Sequence, residues 1–183
     1  MQALRRLFGS RPAVEKGRRL YAAAAAQART PAFYAEAQVP DTPEGRFELY
    51  TLHVVTVLHR LKGQGSEAAE ASQALFDAYV QSLDGALREL GVGDLSVGKK
   101  MRKLGEAFYG RVKNYDEAFA GLPDTAALHA LIARTAFAGV EDGDADGLTA
   151  YAADAVKALA AQPLAEVLDA RLRWPRFGSE GTP

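Results

Sequence analysis

From Phe47 to Leu61, apolar side chains occupy Phe47, Leu49, Tyr50, Leu52, Val54, Val55, Val57, Leu58 and Leu61. At the ~100° per residue of an α-helix they cover most of the circumference, the pattern of a helix buried at the centre of a bundle. The segment after Ser96 differs in kind. Val97, Met101, Leu104, Phe108, Val112, Tyr115 and Phe119 recur at intervals of three and four residues and form one packing seam. Lys99, Arg102, Lys103 and Lys113 lie on the far side with a single acid, Glu106. Lys100, Tyr109 and Arg111 fall on the margins between seam and water.

Turn and capping residues divide the rest into further helices. Ser10 with Pro12 opens one that runs to about Arg29, and Thr30-Pro31 opens a short one through about Ala37. Val39-Pro40-Asp41 is a turn. Thr42, followed by Pro43, caps the apolar helix, which runs to about Lys62. Gly63-Gln64-Gly65 breaks the chain, Ser66 caps the next helix, and Gly91 ends it at the position just past the C-cap. A linker leads to the seam helix, 96–120. Leu122-Pro123 is a turn before a helix from about Asp124 to Ala138. An acidic loop (Glu141 to Gly147), a helix to about Ala161 and a last one after Pro163 complete the series. The expectation is one all-α domain of seven or eight helices over 11–173. A flexible basic N-terminus (1–10) and a frayed tail from Trp174 (174–183) flank it.

Composition supports helix: 36 alanines and 21 leucines stand against 12 valines and one isoleucine. Twenty-two basic and 23 acidic side chains leave a net charge of −1, so no global field favours a polyanionic partner. The absence of cysteine excludes a disulfide scaffold, a thiolate metal site and a catalytic cysteine. No apolar run has the length of a membrane span, and the N-terminus lacks the apolar stretch of a secretory signal, so a cytoplasmic location is expected.

Candidate chemistry is sparse. Asp142-Gly143-Asp144-Ala145-Asp146-Gly147 matches the first half of a calcium-binding EF-hand loop, but the position that needs a bidentate glutamate is Ala153. The plainer reading is a turn between helices, with Asp144 or Asp146 near the next helix N-terminus, where acids are favourable. His53 and His59 point to nearly opposite sides of one helix, and no histidine follows a glutamate by three residues. His53 on the buried helix reads as a satisfied core histidine. No nucleophile, base and orienting group come together, so neither an enzyme nor a cofactor is expected. Residues 96–113 carry six basic side chains against one acid. That run is either a solvated face or a surface for acidic protein, RNA or anionic lipid.

Five stretches carry a resemblance. They are Ala28-Arg29-Thr30-Pro31-Ala32-Phe33-Tyr34, Val39-Pro40-Asp41-Thr42-x-x-Gly45-Arg46-Phe47-Glu48 and Leu75-Phe76-Asp77-Ala78. Leu87-Arg88-Glu89-Leu90-Gly91-Val92-Gly93-Asp94 follows, and the densest is Lys99-Lys100-Met101-x-x-Leu104-Gly105-Glu106-Ala107-Phe108-Tyr109-Gly110-Arg111. In series they resemble the ubiquinol–cytochrome c chaperone family, assembly factors for cytochrome b of the bc1 complex. The resemblance covers roughly Arg18 to Phe119, more weakly to about Ala160.

The resemblance implies a non-enzymatic helical protein, of the bacterial form, that binds newly made or haem-deficient cytochrome b. It leaves a membrane surface or the ribosome open as further contacts. A monomer without specific nucleic-acid recognition is expected. The client-contact candidates are Lys99, Lys103, Phe108, Tyr109 and Arg111, with Tyr50 and Val54 from the apolar helix lining a groove. Pro31, Phe33, Tyr34, Pro40, Asp41, Thr42, Arg46, His53 and Gly91 are read as structural. Of the two motif arginines, Arg46 is expected to be structural and Arg111 to meet the client. The alternative is a peripheral anionic-membrane or RNA-binding module acting through helix 96–120.

Overall fold

The computed structural model describes residues 11–91 and 93–178, and every regular element among them is helical. In chain order these are α1 (Arg11–Ala28), α2 (Ala32–Ala35), α3 (Pro43–Leu61), α4 (Ser66–Glu89) and α5 (Asp94–Ala120). They are followed by α6 (Ala126–Thr135), α7 (Ala145–Ala161) and α8 (Leu164–Leu168). The basic N-terminus and the Ser10 cap lie outside the described residues.

α3 is the hub. It packs against α1, α4, α5 and α7, which is why its apolar residues run around the helix instead of along one stripe. Leu49, Leu52, Val54, Val55, Val57 and Leu61 are buried, while Phe47, Tyr50 and Leu58 are half-buried. Its buried hydroxyls are satisfied: Thr56 donates to the Leu52 carbonyl (2.8 Å), and Thr51 meets the Tyr79 hydroxyl of α4 at 2.8 Å.

α1 and α4 lie side by side in the same direction, since Lys16 pairs with Glu67 (2.7 Å) and Tyr21 with Ser82 (2.6 Å). Their approach depends on small residues. A Cβ at Gly17 would stand 2.2 Å from the Ala74 carbonyl oxygen, and Ala24, Ala28, Ala68 and Ala71 are buried. Alanine thus contributes to packing here as well as to helix propensity.

Thr42 caps α3 as its sequence implies, accepting from the Gly45 N–H at 3.2 Å. Gly45 is required by a different contact: a Cβ there would sit 2.0 Å from the Pro40 carbonyl oxygen. Gly91 has φ +75° just past the end of α4, as its position in the sequence suggests. Asp144 caps α7 by accepting from the Gly147 N–H at 2.8 Å, so the acidic loop is a helix start. The seam of α5 is also borne out, with Val97, Phe108, Tyr115 and Phe119 buried.

Several boundaries differ. Ser66 is the first residue of α4, and Gly65 precedes it without a side-chain cap. α5 begins at Asp94, two residues before Ser96, and α6 is shorter than the expected 124–138. The larger correction concerns residues 174–178 of the segment read as a frayed tail from Trp174; its remainder, 179–183, lies outside the described residues. Trp174 packs edge-on against His53 (ring centroids 5.2 Å), and Phe177 packs against Phe33 (5.0 Å) and Tyr151 (5.9 Å). The buried Gln162 side chain holds the preceding extended chain. Its amide nitrogen donates to the Arg171 carbonyl, and its oxygen accepts from the Arg173 N–H at 3.1 Å. Two aromatic rings and a side-chain clamp replace the regular periodicity by which buried segments are recognised.

Candidate functional site

The two halves of α5 have different surroundings. In its C-terminal half, Arg111 forms a two-pronged pair with Glu48 of α3, Nε donating at 2.9 Å and the second nitrogen at 2.7 Å. Glu48 is only 8% exposed, and its hydrogen bonds hold the Arg111 guanidinium pKa above its usual range. One turn further, Asp116 accepts from Lys62 (2.5 Å) and meets His59 Nδ1 at 3.0 Å. The Lys62 bond is the main reason the Asp116 carboxyl pKa lies below the usual carboxylate value. Phe108, Tyr115 and Phe119 are enclosed.

The N-terminal half of α5 is open by comparison. Met101 and Leu104 are half-buried, and Lys99, Lys100 and Lys103 are exposed and form no ion pair with a described side chain. Arg102 stands 4.0 Å from Glu106 in an exposed pair. α4 lies alongside, antiparallel, with Tyr79 and Phe76 against Phe108 (5.1 and 5.5 Å) and Phe76 against Tyr109 (5.6 Å). Leu90, at the end of α4, is 63% exposed and Tyr109 is 62% exposed. Exposed apolar side chains and lysines without ion-pair partners therefore occur along the same pair of helices, α4 and α5.

The first two motif stretches meet elsewhere. Arg29, Pro31, Tyr34, Ala35, Asp41, Arg46 and Tyr50 line an open concavity of about 590 Å³ where α1 ends and α3 begins. Arg29 Nε donates to the Tyr50 hydroxyl (2.9 Å), with its guanidinium carbon 5.5 Å from the Tyr50 ring centre. Tyr34 donates to the Ala28 carbonyl (3.0 Å), and burial raises its pKa. Arg46 Nε donates to Asp41 (2.6 Å), and that hydrogen bond lowers the Asp41 pKa.

His53 is 1% exposed. Its Nδ1 lies 2.7 Å from the Leu49 carbonyl, which can only accept, so Nδ1 carries the proton and Nε2 accepts from the Tyr151 hydroxyl at 2.8 Å. Gln27 in turn donates to that hydroxyl (3.1 Å). Burial lowers the His53 pKa to about 4, so the ring is neutral at pH 7. Both nitrogens are used within the core.

The predicted residues thus separate into groups. Lys99 and Lys103 lie on the open N-terminal half of α5 and Tyr109 just past its midpoint, while Tyr50 lies in the concavity on another side. Val54 and Phe108 correct the expectation of client contact, because the domain's own helices enclose both. Arg111, expected to meet the client, is held by Glu48, and Arg46, read as structural, pairs with Asp41 at the exposed rim of the concavity. Phe33 is core, Pro31 and Tyr34 form a wall, and Pro40 supports the turn under Gly45. Glu48 and Arg29, which the sequence reading did not single out as site residues, complete the Arg111 pair and the concavity. Glu48 was visible only as an acid on an apolar helix, without a partner at helical spacing. Among the described residues no helix is long and apolar enough to cross a membrane, and no three metal-ligating side chains cluster.

A sequence model described as ubiquinol-cytochrome C chaperone matches residues 35–174. Among solved structures, the crystal structure of the Cbp3 homolog from Brucella abortus is similar, with a TM-score of 0.82 and 35% sequence identity over 96% of each chain. No curated protein sequence matches.

Proposed function

The chain belongs to the ubiquinol–cytochrome c chaperone family, and on that premise we propose that it binds newly synthesised cytochrome b and holds it during bc1 complex assembly, without chemistry of its own. The observation that carries this reading is the exposed end of α4 and α5. Leu90 and Tyr109 offer apolar surface on this helix pair, and Lys99 and Lys103 lie between them along the chain without internal ion-pair partners. A client whose membrane segments are not yet inserted presents apolar surface, and covering it is favourable at about 25 cal/mol per Å² removed from water. Lysines at the rim add attraction to acidic loops and set orientation more than affinity.

Crosslinking the tagged protein in its native cells, followed by mass spectrometry, tests the reading. Cytochrome b should be the leading partner, should increase when haem is limiting, and should attach near Leu90 and Tyr109. Recovery of other proteins without cytochrome b would overturn it. The same lysines and exposed side chains favour a second reading, contact with anionic lipid or RNA through α5. Binding to lipid or RNA that falls steeply with salt and ignores cytochrome b would select that reading.

A further inference from the structure

We infer that the concavity between the end of α1, α2 and the start of α3 is a binding site for a carboxylate presented by a polypeptide, received between Arg29 and Arg46. This reading concerns a different surface from the α4–α5 end and holds whatever the identity of the client.

Both guanidinia line the hollow, and each is fixed through Nε alone. Arg29 is held by the Tyr50 hydroxyl and ring, and Arg46 by Asp41. Neither makes a further hydrogen bond to a described residue, so the paired terminal N–H groups of both remain available. A guanidinium in this state presents the fork that matches a carboxylate. Asp41 is the only acid in the lining, so two positive charges face one negative.

The walls indicate what the carboxylate is attached to. Pro31, Ala35 and the rings of Tyr34 and Tyr50 flank the arginines, and these surfaces suit an acidic residue arriving with its hydrocarbon and backbone. A free phosphate is better served by several backbone N–H groups at a helix start, and here all but that of Glu44 are absent or already used. Pro43 has none, the Gly45 N–H is given to the Thr42 side chain, and the Arg46 N–H to the Thr42 carbonyl. Recognition therefore rests on side chains.

Asp41 supplies a test of direction. It occupies Arg46 and competes with an incoming carboxylate, and its lowered pKa keeps it ionised at neutral pH. The experiment titrates the full chain, labelled at arginine for NMR, with acetyl-Ala-Glu-Ala-amide, its Gln counterpart and inorganic phosphate. The Nε–H signals of Arg29 and Arg46 should shift saturably with the Glu peptide and stay in place with the Gln peptide. Asp41→Asn should tighten binding severalfold, and Arg46→Gln should weaken it about tenfold with the melting temperature unchanged. The absence of a saturable shift, equal response to the Gln peptide, response to phosphate alone, or weaker binding by Asp41→Asn would each overturn the inference.

Discussion

At Arg111, α5 places its cation on Glu48, and Tyr115 and Phe119 beyond it are sealed by neighbouring helices. About three turns earlier on the same helix, Lys99, Lys100 and Lys103 stand in water and Met101 and Leu104 are half-covered. The apolar stripe is continuous through both halves, so the difference does not come from α5 itself. It comes from what lies opposite: Glu48 and His59 of α3 reach the C-terminal half, while among the described residues no acid pairs with the lysines of the other. Helical periodicity identifies the face that seeks cover, and tertiary neighbours decide how much cover it receives. The C-terminal half pairs Arg111 and Asp116 within the fold, and the N-terminal half leaves its lysines in water.

The comparison is broken most severely by Glu48→Ala, which takes both hydrogen bonds from the half-buried Arg111 guanidinium. Urea denaturation should show a loss of about 3 kcal/mol, less than for a fully buried pair because Arg111 keeps some water contact, and replacing both Glu48 and Arg111 by leucine should restore much of it. Acid is the next largest perturbation. His53 titrates near pH 4 in the fold and near 6.5 unfolded, so the unfolded chain binds the extra proton between those values. Stability is therefore complete above about pH 6.5 and falls by about 3 kcal/mol as the pH approaches 4, levelling below it. His53→Gln should remove that limb of the pH–stability curve.

Smaller effects sharpen the contrast. Thr42→Ala removes the α3 cap and should cost about 1 kcal/mol in the same denaturation experiment. Charge reversal at Lys99 and Lys103 should change stability by less than about 0.5 kcal/mol. In the crosslinking experiment that double reversal should reduce cytochrome b capture severalfold. A large stability loss from it would show that the open end is internally bonded after all.

Helix number, the central helix, the α5 seam and the Thr42 and Gly91 ends were legible because each is written in residues within a few positions of one another. Partners were not. Glu48 and Arg111 are 63 residues apart, and spacing along a helix gives the direction of a side chain without saying what it meets. The internal pairing of Arg111 was hidden by that limit. Arg46 found Asp41 just before its own helix and stayed at the surface, whereas Arg111 met Glu48, the buried acid of the apolar helix. The concavity was half legible: both motif stretches that form it were noted, but only the fold brings Arg29 and Arg46 to one hollow. The packed segment after 173 was missed because Trp174 and Phe177 have no periodic neighbours to mark them as core.

That segment has a consequence for the order of events during synthesis. Phe33 and His53 leave the ribosome early, yet the rings that close over them, Tyr151, Trp174 and Phe177, are made much later, Tyr151 alone lying 98 residues beyond His53. Translation at about 5–20 residues per second therefore leaves this aromatic nest without its lid for several seconds. In that interval the emerging chain carries an uncovered apolar hollow of its own, so the protein is for a time in the same condition as the membrane-protein client proposed for it.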